Sequence, residues 1–319
     1  MMLDVVALGE LLIDFTANGI SRQGNPLMEA NPGGAPGNVL SMLTRLGKKT
    51  DFIGKIGDDM FGRQLMESLQ SVGVGVSGIS IDQEVNTTLA FVHTKEDGDR
   101  EFSFYRNPGA DMLLTEDDLE EELLKNCRIF HYGSLSMTHE GCKKATMKAI
   151  QIAKEAGALL SFDPNLREPL WDSLDTAKEC ISYGMTQCDI LKISDNEIVW
   201  FTGEEDYEAG IRKIQEEYKI PLILLSMGRD GSRAYCGDVK VEVPAILQEA
   251  TIETTGAGDT FGACVLNYVL EHGWKEYKKE ELEEMLLFAN AAASIITTRK
   301  GALAVMPTKE EVVELLEQI

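Results

Sequence analysis

The chain has 319 residues, 44% of them hydrophobic, and its 53 acidic and 30 basic side chains give a formal net charge of -23 at pH 7. This length and apolar content suit one large α/β domain or two smaller ones and exclude a mainly disordered chain. The strong negative charge repels phosphate backbones and anionic lipid, which argues against nucleic acid and membrane as partners.

The cysteine pattern and the N-terminus indicate a cellular compartment. The six cysteines form no C-x-x-C pair and several lie in apolar runs, so we expect reduced core residues. The N-terminus lacks a basic stretch and is interrupted by Asp4, which favours a first strand over a signal peptide. We therefore predict a cytoplasmic protein.

Short apolar segments alternate with longer amphipathic segments along the chain. The strands that we predict are 5–13, 51–56, 129–133, 159–163, 190–193 and 222–226, and the first helices between them are 39–46, 60–72 and 140–156. This alternation predicts an α/β fold, a doubly wound and mostly parallel sheet flanked by helices. Right-handed crossovers would place the loops that follow the strands on one rim of the sheet.

Two regions interrupt the alternation. Segment 15–30 is polar and irregular, whereas 87–94 and 100–106 alternate apolar and polar residues around a turn-forming tip at 95–99. The second region predicts a hairpin. We expect a single domain, residues 1–319, with a small antiparallel β lid formed by about 15–32 and 86–108. An exposed lid edge can pair with another chain, which would give a homodimer.

The most informative motif is the segment 253–260. Gly256 and Gly258 flank Ala257, Asp259 follows, and an apolar helical run begins directly afterwards. Glycines let several backbone N–H groups converge, and a helix start adds positive potential, so the segment predicts a cradle for phosphate charge. A carboxylate in that cradle makes sense as the base for an attacking hydroxyl, which indicates phosphoryl transfer to an alcohol. The alternative is a glycine-rich turn with an Asp cap.

Other unusual residues fall mainly at the carboxyl ends of predicted strands, where open α/β sheets bind ligands. They are Glu10 and Asp14 at the end of the first strand, segment 31–38 before the first helix, Arg106 at the end of the hairpin, and segments 163–167, 192–197 and 226–231. This convergence predicts one site at the rim of the sheet.

Together these segments resemble the ribokinase-like sugar kinases, also called the phosphofructokinase-B family. Segment 33–38 is similar to the first signature of the family and 254–259 to the second, and the likeness covers essentially the whole chain. Within the family, 104–111 and 162–167 are most similar to bacterial fructokinases. The resemblance implies a fructokinase that uses ATP and Mg²⁺ to phosphorylate the C6 hydroxyl of D-fructose.

The resemblance also implies roles for individual residues. Asp259 would be the catalytic base, and the backbone of Gly256, Ala257 and Gly258 would surround the transferring phosphoryl group. The substrate-binding residues that it implies are Asp14, Gly33, Gly34, Asn38, Arg106 and Arg167, with Arg106 on the lid. The nucleotide-side residues that it implies are Lys192, Ser194, Ser226, Gly228, Gly231 and Asn290.

Two acidic residues are implied near cations. Glu197 would order the water shell of Mg²⁺, which usually keeps several waters. Glu253 stands where the family commonly has Asp near a monovalent cation, so K⁺ is a further expected cofactor. Ser194 stands where the family usually has Asn, and Ser194 with Glu197 equally fits a helix capping box.

Three alternatives to fructokinase stay open. In a 2-keto-3-deoxygluconate kinase, Arg106 and Arg167 would hold the substrate carboxylate. A ribokinase or nucleoside kinase is less favoured, because Arg106 and segment 163–167 do not resemble those enzymes. A catalytically inactive sugar-binding protein would share the fold, although the intact Asp259 motif argues against it.

Overall fold

The computed structural model describes residues 2–94 and 100–318, which form two sheets and ten α-helices in that part of the chain. The strands are β1 (Leu3–Leu8), β2 (Leu12–Ile20), β3 (Pro26–Gly33), β4 (Thr50–Gly57), β5 (Gly75–Asp82), β6 (Thr88–Thr94), β7 (Arg100–Tyr105), β8 (Cys127–Gly133), β9 (Leu159–Asp163), β10 (Ile190–Ser194), β11 (Leu222–Ser226), β12 (Ser232–Cys236) and β13 (Val239–Val243). The helices are α1 (Ala35–Arg45), α2 (Met60–Ser71), α3 (Glu121–Lys125), α4 (Glu140–Glu155), α5 (Leu174–Gln187), α6 (Asp195–Thr202), α7 (Tyr207–Tyr218), α8 (Ala257–His272), α9 (Lys279–Ile296) and α10 (Lys309–Leu316).

The larger sheet has nine strands in the order β13-β12-β11-β10-β9-β8-β1-β4-β5. The seven strands from β11 to β5 are parallel to their neighbours, and the β12–β13 hairpin adds an antiparallel edge. Successive side chains of β1 point into different cores, with Val5 and Ala7 in one and Val6 and Leu8 in the other. Helices therefore cover both faces, and the predicted doubly wound fold is confirmed.

The first predicted strand, 5–13, is wrong as a single element. β1 ends at Leu8 in the larger sheet, and β2 begins at Leu12 in the smaller one. Leu11, Leu12 and Ile13 are all buried, so the apolar run continues without a break while the chain crosses between sheets. As a result, Asp14 lies inside a lid strand and Glu10 lies in the connection between the sheets.

The smaller sheet forms the lid, in the order β3-β2-β6-β7. Its outer pairs are antiparallel, whereas β2 and β6 pair in parallel because both enter the lid from the larger sheet. The β6–β7 hairpin is confirmed, but its predicted tip at 95–99 lies outside the described residues. Segment 15–30 was expected to belong to the lid but to be irregular, and most of it forms a second hairpin. Its exposed polar residues concealed the strand pattern.

The lid rests on α2. Phe15 of the lid stacks on Phe91 with ring centroids 4.9 Å apart and meets the edge of Phe61 of α2 at 5.6 Å. The Gln64 amide also donates a hydrogen bond to the Ala30 carbonyl at 3.1 Å. These contacts hold the lid over the rim of the larger sheet, where strands β8 to β11 end.

None of the helices in residues 2–94 and 100–318 is both long enough and apolar enough to span a bilayer.

Candidate active site

A cavity of about 480 Å³ lies between the rim of the larger sheet and the lid. Its volume falls within the usual range for small-molecule sites. The predicted site residues on its wall are Asp14, Gly33, Gly34, Asn38, Arg167, Lys192, Ser194, Glu197, Ser226, Gly228, Glu253, Gly256, Gly258 and Asp259. A larger depression of about 640 Å³ lies between α5 and the pair α6 and α7, and none of the predicted site residues lines it.

The glycine cradle opens α8 as expected. Gly256 is the residue before the helix, with a left-handed φ of 76°, and a Cβ there would lie 2.7 Å from the Ala302 side chain. Glycine is therefore required both for the conformation and for the space. A Cβ on Gly258 would lie 3.1 Å from the Lys192 ammonium. The positive start of α8 and a lysine thus meet at one part of the cavity.

Asp259 lies in the first turn of α8, and the amide of Asn38 in α1 donates a hydrogen bond to its Oδ2 at 2.8 Å. Burial raises the pKa of Asp259, while the Asn38 amide, Lys192 and Arg167 lower it. The raised pKa makes the carboxylate a better proton acceptor than one in water. The other amide atom, Asn38 Oδ1, is buried and has no hydrogen-bond partner within residues 2–94 and 100–318.

Lys192 forms an ion pair with Asp163, with its Nζ 3.0 Å from Oδ2. The two side chains are only 13% and 7% exposed. Burial raises the pKa of Asp163 to about 6, although Lys192 opposes this shift. For Lys192, burial favours the neutral amine, but the carboxylates of Asp163 and Glu197 outweigh it and raise the pKa. Lys192 is therefore a fixed positive charge beside the cradle.

Glu197 and Ser194 form the capping box that was one of the two interpretations of their spacing. Glu197 Oε2 accepts hydrogen bonds from the Ser194 backbone N–H and hydroxyl, both at 2.8 Å, and Oε1 accepts one from the Leu166 N–H at 2.8 Å. Carboxylate oxygens accept more than one bond, so Glu197 can also bond waters in the cavity. Its role toward Mg²⁺ stays a prediction.

No cluster of three or more His, Cys, Asp or Glu side chains suited to a metal occurs in the described part of the chain. Mg²⁺ in kinase sites is commonly held by one or two carboxylates, substrate phosphates and waters, and it does not need such a cluster. A wall with Glu197 beside a phosphate cradle is therefore compatible with Mg²⁺ bound together with a nucleotide.

Glu253 connects the segment before α8 to the segment after α9. Its Oε1 accepts a hydrogen bond from the Gly301 N–H at 2.7 Å, and its own N–H bonds the Thr297 carbonyl at 3.2 Å. Both Glu253 and Gly301 line the cavity. The carboxylate therefore braces the approach to the cradle, and its expected role near K⁺ stays a prediction.

Arg106 lies at the base of the lid, and its predicted contact with the substrate stays a prediction. It follows β7 at the base of the lid and is absent from the cavity wall formed by the described residues. Its guanidinium lies 2.7 Å from Asp111 Oδ2, and it donates further bonds to the Thr138 hydroxyl and the Leu135 carbonyl. The Arg106 side chain is buried, and the carboxylate of Asp111, five residues later, compensates its positive charge.

Asn290, Gly231 and Ala257 are also absent from the wall formed by the described residues. The Asn290 amide accepts a bond from the Ser232 hydroxyl and donates to the carbonyls of Val243 and Pro244. These bonds brace the β12–β13 edge behind the nucleotide-side loops. At Gly231, with φ of 104°, a Cβ would lie 2.2 Å from the Val243 carbonyl oxygen. The predicted nucleotide contacts of Asn290 and Gly231 stay predictions.

Three contributors to the site had no assigned role in the sequence. Asp163 is the partner of Lys192, and its position directly after a strand was an available signal. Glu10 lines the cavity, but it stands in an apolar run that looked like one strand. Ala302 packs against Gly256 from a segment about 45 residues later, and local pattern gives no indication of such a contact.

The fold and this site together define a ribokinase-like kinase, in which a glycine-rich helix start and a carboxylate face a lidded cavity. A model described as pfkB family carbohydrate kinase matches residues 2–309. The chain therefore belongs to the pfkB family of carbohydrate kinases, and the resemblance seen in the sequence is confirmed.

Curated relatives and solved structures agree with this assignment. The chain is 43% identical to Fructokinase-1 of Zea mays, covering 98% of each chain, and 43% identical to Probable fructokinase-2 of Arabidopsis thaliana, covering 98% of this chain and 95% of that one. The structure is similar to fructokinase with bound ATP from Xylella fastidiosa, with a TM-score of 0.90 and 30% identity over 100% of this chain and 99% of that one. It is also similar to fructokinase from Vibrio cholerae O395 in a form with fructose, ADP and calcium ion, with a TM-score of 0.88 and 28% identity over 98% and 99% of the two chains.

The ion pair between Lys192 and Asp163 is directly testable. We expect Lys192→Met to lower the free energy of unfolding by about 3 kcal/mol, because breaking a buried pair leaves one charge without its partner. A double variant that adds Asp163→Asn removes both charges and should recover most of the loss. Urea denaturation of the three proteins measures this, and equal midpoints for all three would contradict the pairing.

Proposed function

We propose that this pfkB-family kinase is an ATP-dependent fructokinase, which transfers the γ-phosphoryl group of ATP to the C6 hydroxyl of D-fructose. The observation that carries the proposal is the Asp259 carboxylate, held by Asn38 at the positive start of α8 inside the lidded cavity. The 43% identity to plant fructokinases over nearly the whole chain supports fructose as the acceptor.

Asp259 acts as the general base in this proposal and takes the proton from the attacking hydroxyl. The backbone N–H groups in the first turn of α8 bond the transferring phosphoryl oxygens, and Gly258 lets these oxygens approach the backbone closely. Lys192 adds a positive charge 3.1 Å from where a Cβ on Gly258 would lie. Mg²⁺ bound with ATP neutralises phosphate charge, and Ser194 and Glu197 are the wall residues suited to bond its waters.

The sugar lies on the lid side of the cavity in this proposal. Asp14 presents a carboxylate from the lid, and Gly33 faces it so closely that a Cβ would meet Asp14 Oδ2 at 2.4 Å. The buried Asn38 Oδ1 is a natural acceptor for a sugar hydroxyl. The lid excludes water, which would otherwise compete with the sugar as phosphoryl acceptor.

The position of Arg106 favours fructose over 2-keto-3-deoxygluconate. That keto acid carries a carboxylate, which two arginines would hold together. Arg106 is engaged with Asp111, so Arg167 is the one arginine among the described residues of the wall. A neutral sugar does not need a pair of cations, and Arg167 can instead serve its hydroxyls or the ATP phosphates.

The proposed base predicts a large kinetic effect. We expect Asp259→Asn to lower kcat by about 10²–10⁴-fold, because the amide cannot accept the hydroxyl proton. Asp59→Asn is a matched control, since Asp59 is also a carboxylate at a helix start but caps α2 outside the cavity. Steady-state ADP release measures both variants. Full turnover by Asp259→Asn would rule out this base.

The acceptor preference tests the function itself. We expect ADP release with Mg²⁺-ATP to be much faster with D-fructose than with 2-keto-3-deoxygluconate when both are at the same low concentration. A preference for the keto acid would contradict the fructokinase assignment and make Arg167 a carboxylate ligand. Tight fructose binding by calorimetry without turnover of any sugar or nucleoside would favour the sugar-binding alternative.

The lid edge and the cysteines bear on the oligomeric state and the cellular compartment of the protein. We infer that the chain forms a homodimer through the lid, whose edge strands β3 and β7 expose Leu27, Met28 and Tyr105. Light scattering that gives the mass of one chain at micromolar concentration would contradict the dimer. All six cysteines are buried free thiols, which fits a reducing compartment such as the cytoplasm.

A further inference from the structure

Helix α1 begins with a residue that cannot cap it. The residue before the helix is Gly34, which has no side chain to accept the N–H groups that the first turn leaves unpaired. The structure supplies the missing acceptor from 25 residues earlier, where Glu10 Oε1 accepts the Ala35 N–H at 2.9 Å. Glu10 is only 4% exposed, and its charge lies at the positive end of α1.

The backbone of Glu10 also touches the start of α1. Gly34 has a φ of 123°, and a Cβ there would lie 2.3 Å from the Glu10 carbonyl oxygen. The Glu10 side chain bonds Ala35 and the Glu10 carbonyl lies against Gly34. A shift of the start of α1 would therefore also displace Glu10.

Glu10 is equally part of the lid's attachment to the larger sheet. It stands in the connection between β1 and β2, where the chain enters the lid, and Arg106 follows β7, where the chain leaves it. Asp111 binds Arg106 and accepts a hydrogen bond from Thr88 at the start of β6. Burial raises the pKa of Glu10 to about 7, while the Ala35 N–H and then Arg106 favour its ionised form.

The same helix reaches the reacting group one turn later. The Asn38 N–H bonds the Gly34 carbonyl at 3.0 Å, and the Asn38 side chain bonds Asp259 Oδ2 at 2.8 Å. A displacement of the start of α1 therefore moves the amide that orients Asp259.

We propose that Glu10 is a positioning residue for phosphoryl transfer, which links the base of the lid to the orientation of Asp259 through the start of α1 and Asn38. This role rests on the proposed function of Asp259 as the base. Glu10 does not take a proton in the reaction, and its contribution is to hold α1 where the carboxylate and the sugar hydroxyl meet.

The test uses Glu10→Ala, Glu10→Gln and the matched control Asp51→Ala in the full chain. We expect Glu10→Ala to lower kcat by about 10²-fold, the size of effect that small misplacements of reacting groups produce. Glu10→Gln keeps an oxygen that can accept the Ala35 N–H, so it should restore most of the activity. Asp51 is also a buried carboxylate that accepts a backbone N–H, but it lies off the cavity wall, so its variant should lose stability and keep kcat.

A double-variant comparison distinguishes positioning from a general loss of structure. If Glu10 acts through Asn38, then Glu10→Ala combined with Asn38→Ala should have the same kcat as Asn38→Ala alone. Multiplying losses in the double variant, or wild-type kcat in Glu10→Ala, would overturn the proposal. If Glu10→Ala does not fold, Glu10→Asp serves in the same comparison, because it keeps the charge and shortens the reach to Ala35. Full turnover by Asp259→Asn would instead overturn the proposed base, so the two failures are distinguishable.

Discussion

The hydrogen bond between Asn38 and Asp259 joins the two sides of the candidate active site. Asn38 belongs to α1, which follows Gly33 and Gly34, and Asp259 belongs to the first turn of α8, directly after Gly256. The two helices pack against each other on one face of the larger sheet. Packing of these two helices in the core therefore sets the distance between Asn38 and Asp259.

The protein carries a formal net charge of -23 and belongs to a family of kinases. Its overall charge therefore repels the anionic phosphates that a kinase has to bind. Positive charge near the cradle comes from local features: the start of α8 and the buried Lys192. Lys192 stays protonated because the Asp163 carboxylate stabilises its positive charge. The pair therefore forms a fixed dipole with a small net charge. Positive potential for an anion is therefore confined to one rim of the larger sheet, while the rest of the surface stays acidic.

The sequence predicted the central architecture well, because strands buried on both faces appear as short apolar runs. β9 and β11 were predicted with their observed bounds. The passage from β1 to β2 was missed because residues on both sides of it are buried, so no polar residue except Glu10 marks the crossing. The first lid hairpin was missed for the opposite reason, since its outer strand is largely exposed and lacks an apolar stripe.

Within the site, motif residues that form turns were predictable, whereas partners distant in sequence were not. The glycines around Asp259 and at 33–34 are recognisable because their backbone conformation and close contacts allow little else. The bonds of Arg106 to Thr138 and Leu135, and of Asn290 to Ser232, depend on tertiary packing that no local pattern encodes. The sequence therefore indicated many residues of the cavity wall, whereas the internal partners of Arg106 and Asn290 became visible only in the structure.

The role that we propose for Asp259 is to take the proton from the C6 hydroxyl of fructose. A crystal structure with fructose and a non-hydrolysable ATP analogue tests it most directly. The account predicts the C6 oxygen at roughly 2.6–3.2 Å from an Asp259 carboxylate oxygen, with the γ-phosphate at the N-terminus of α8. A sugar that presents a different hydroxyl to Asp259, or a γ-phosphate bound elsewhere on the wall, would contradict it.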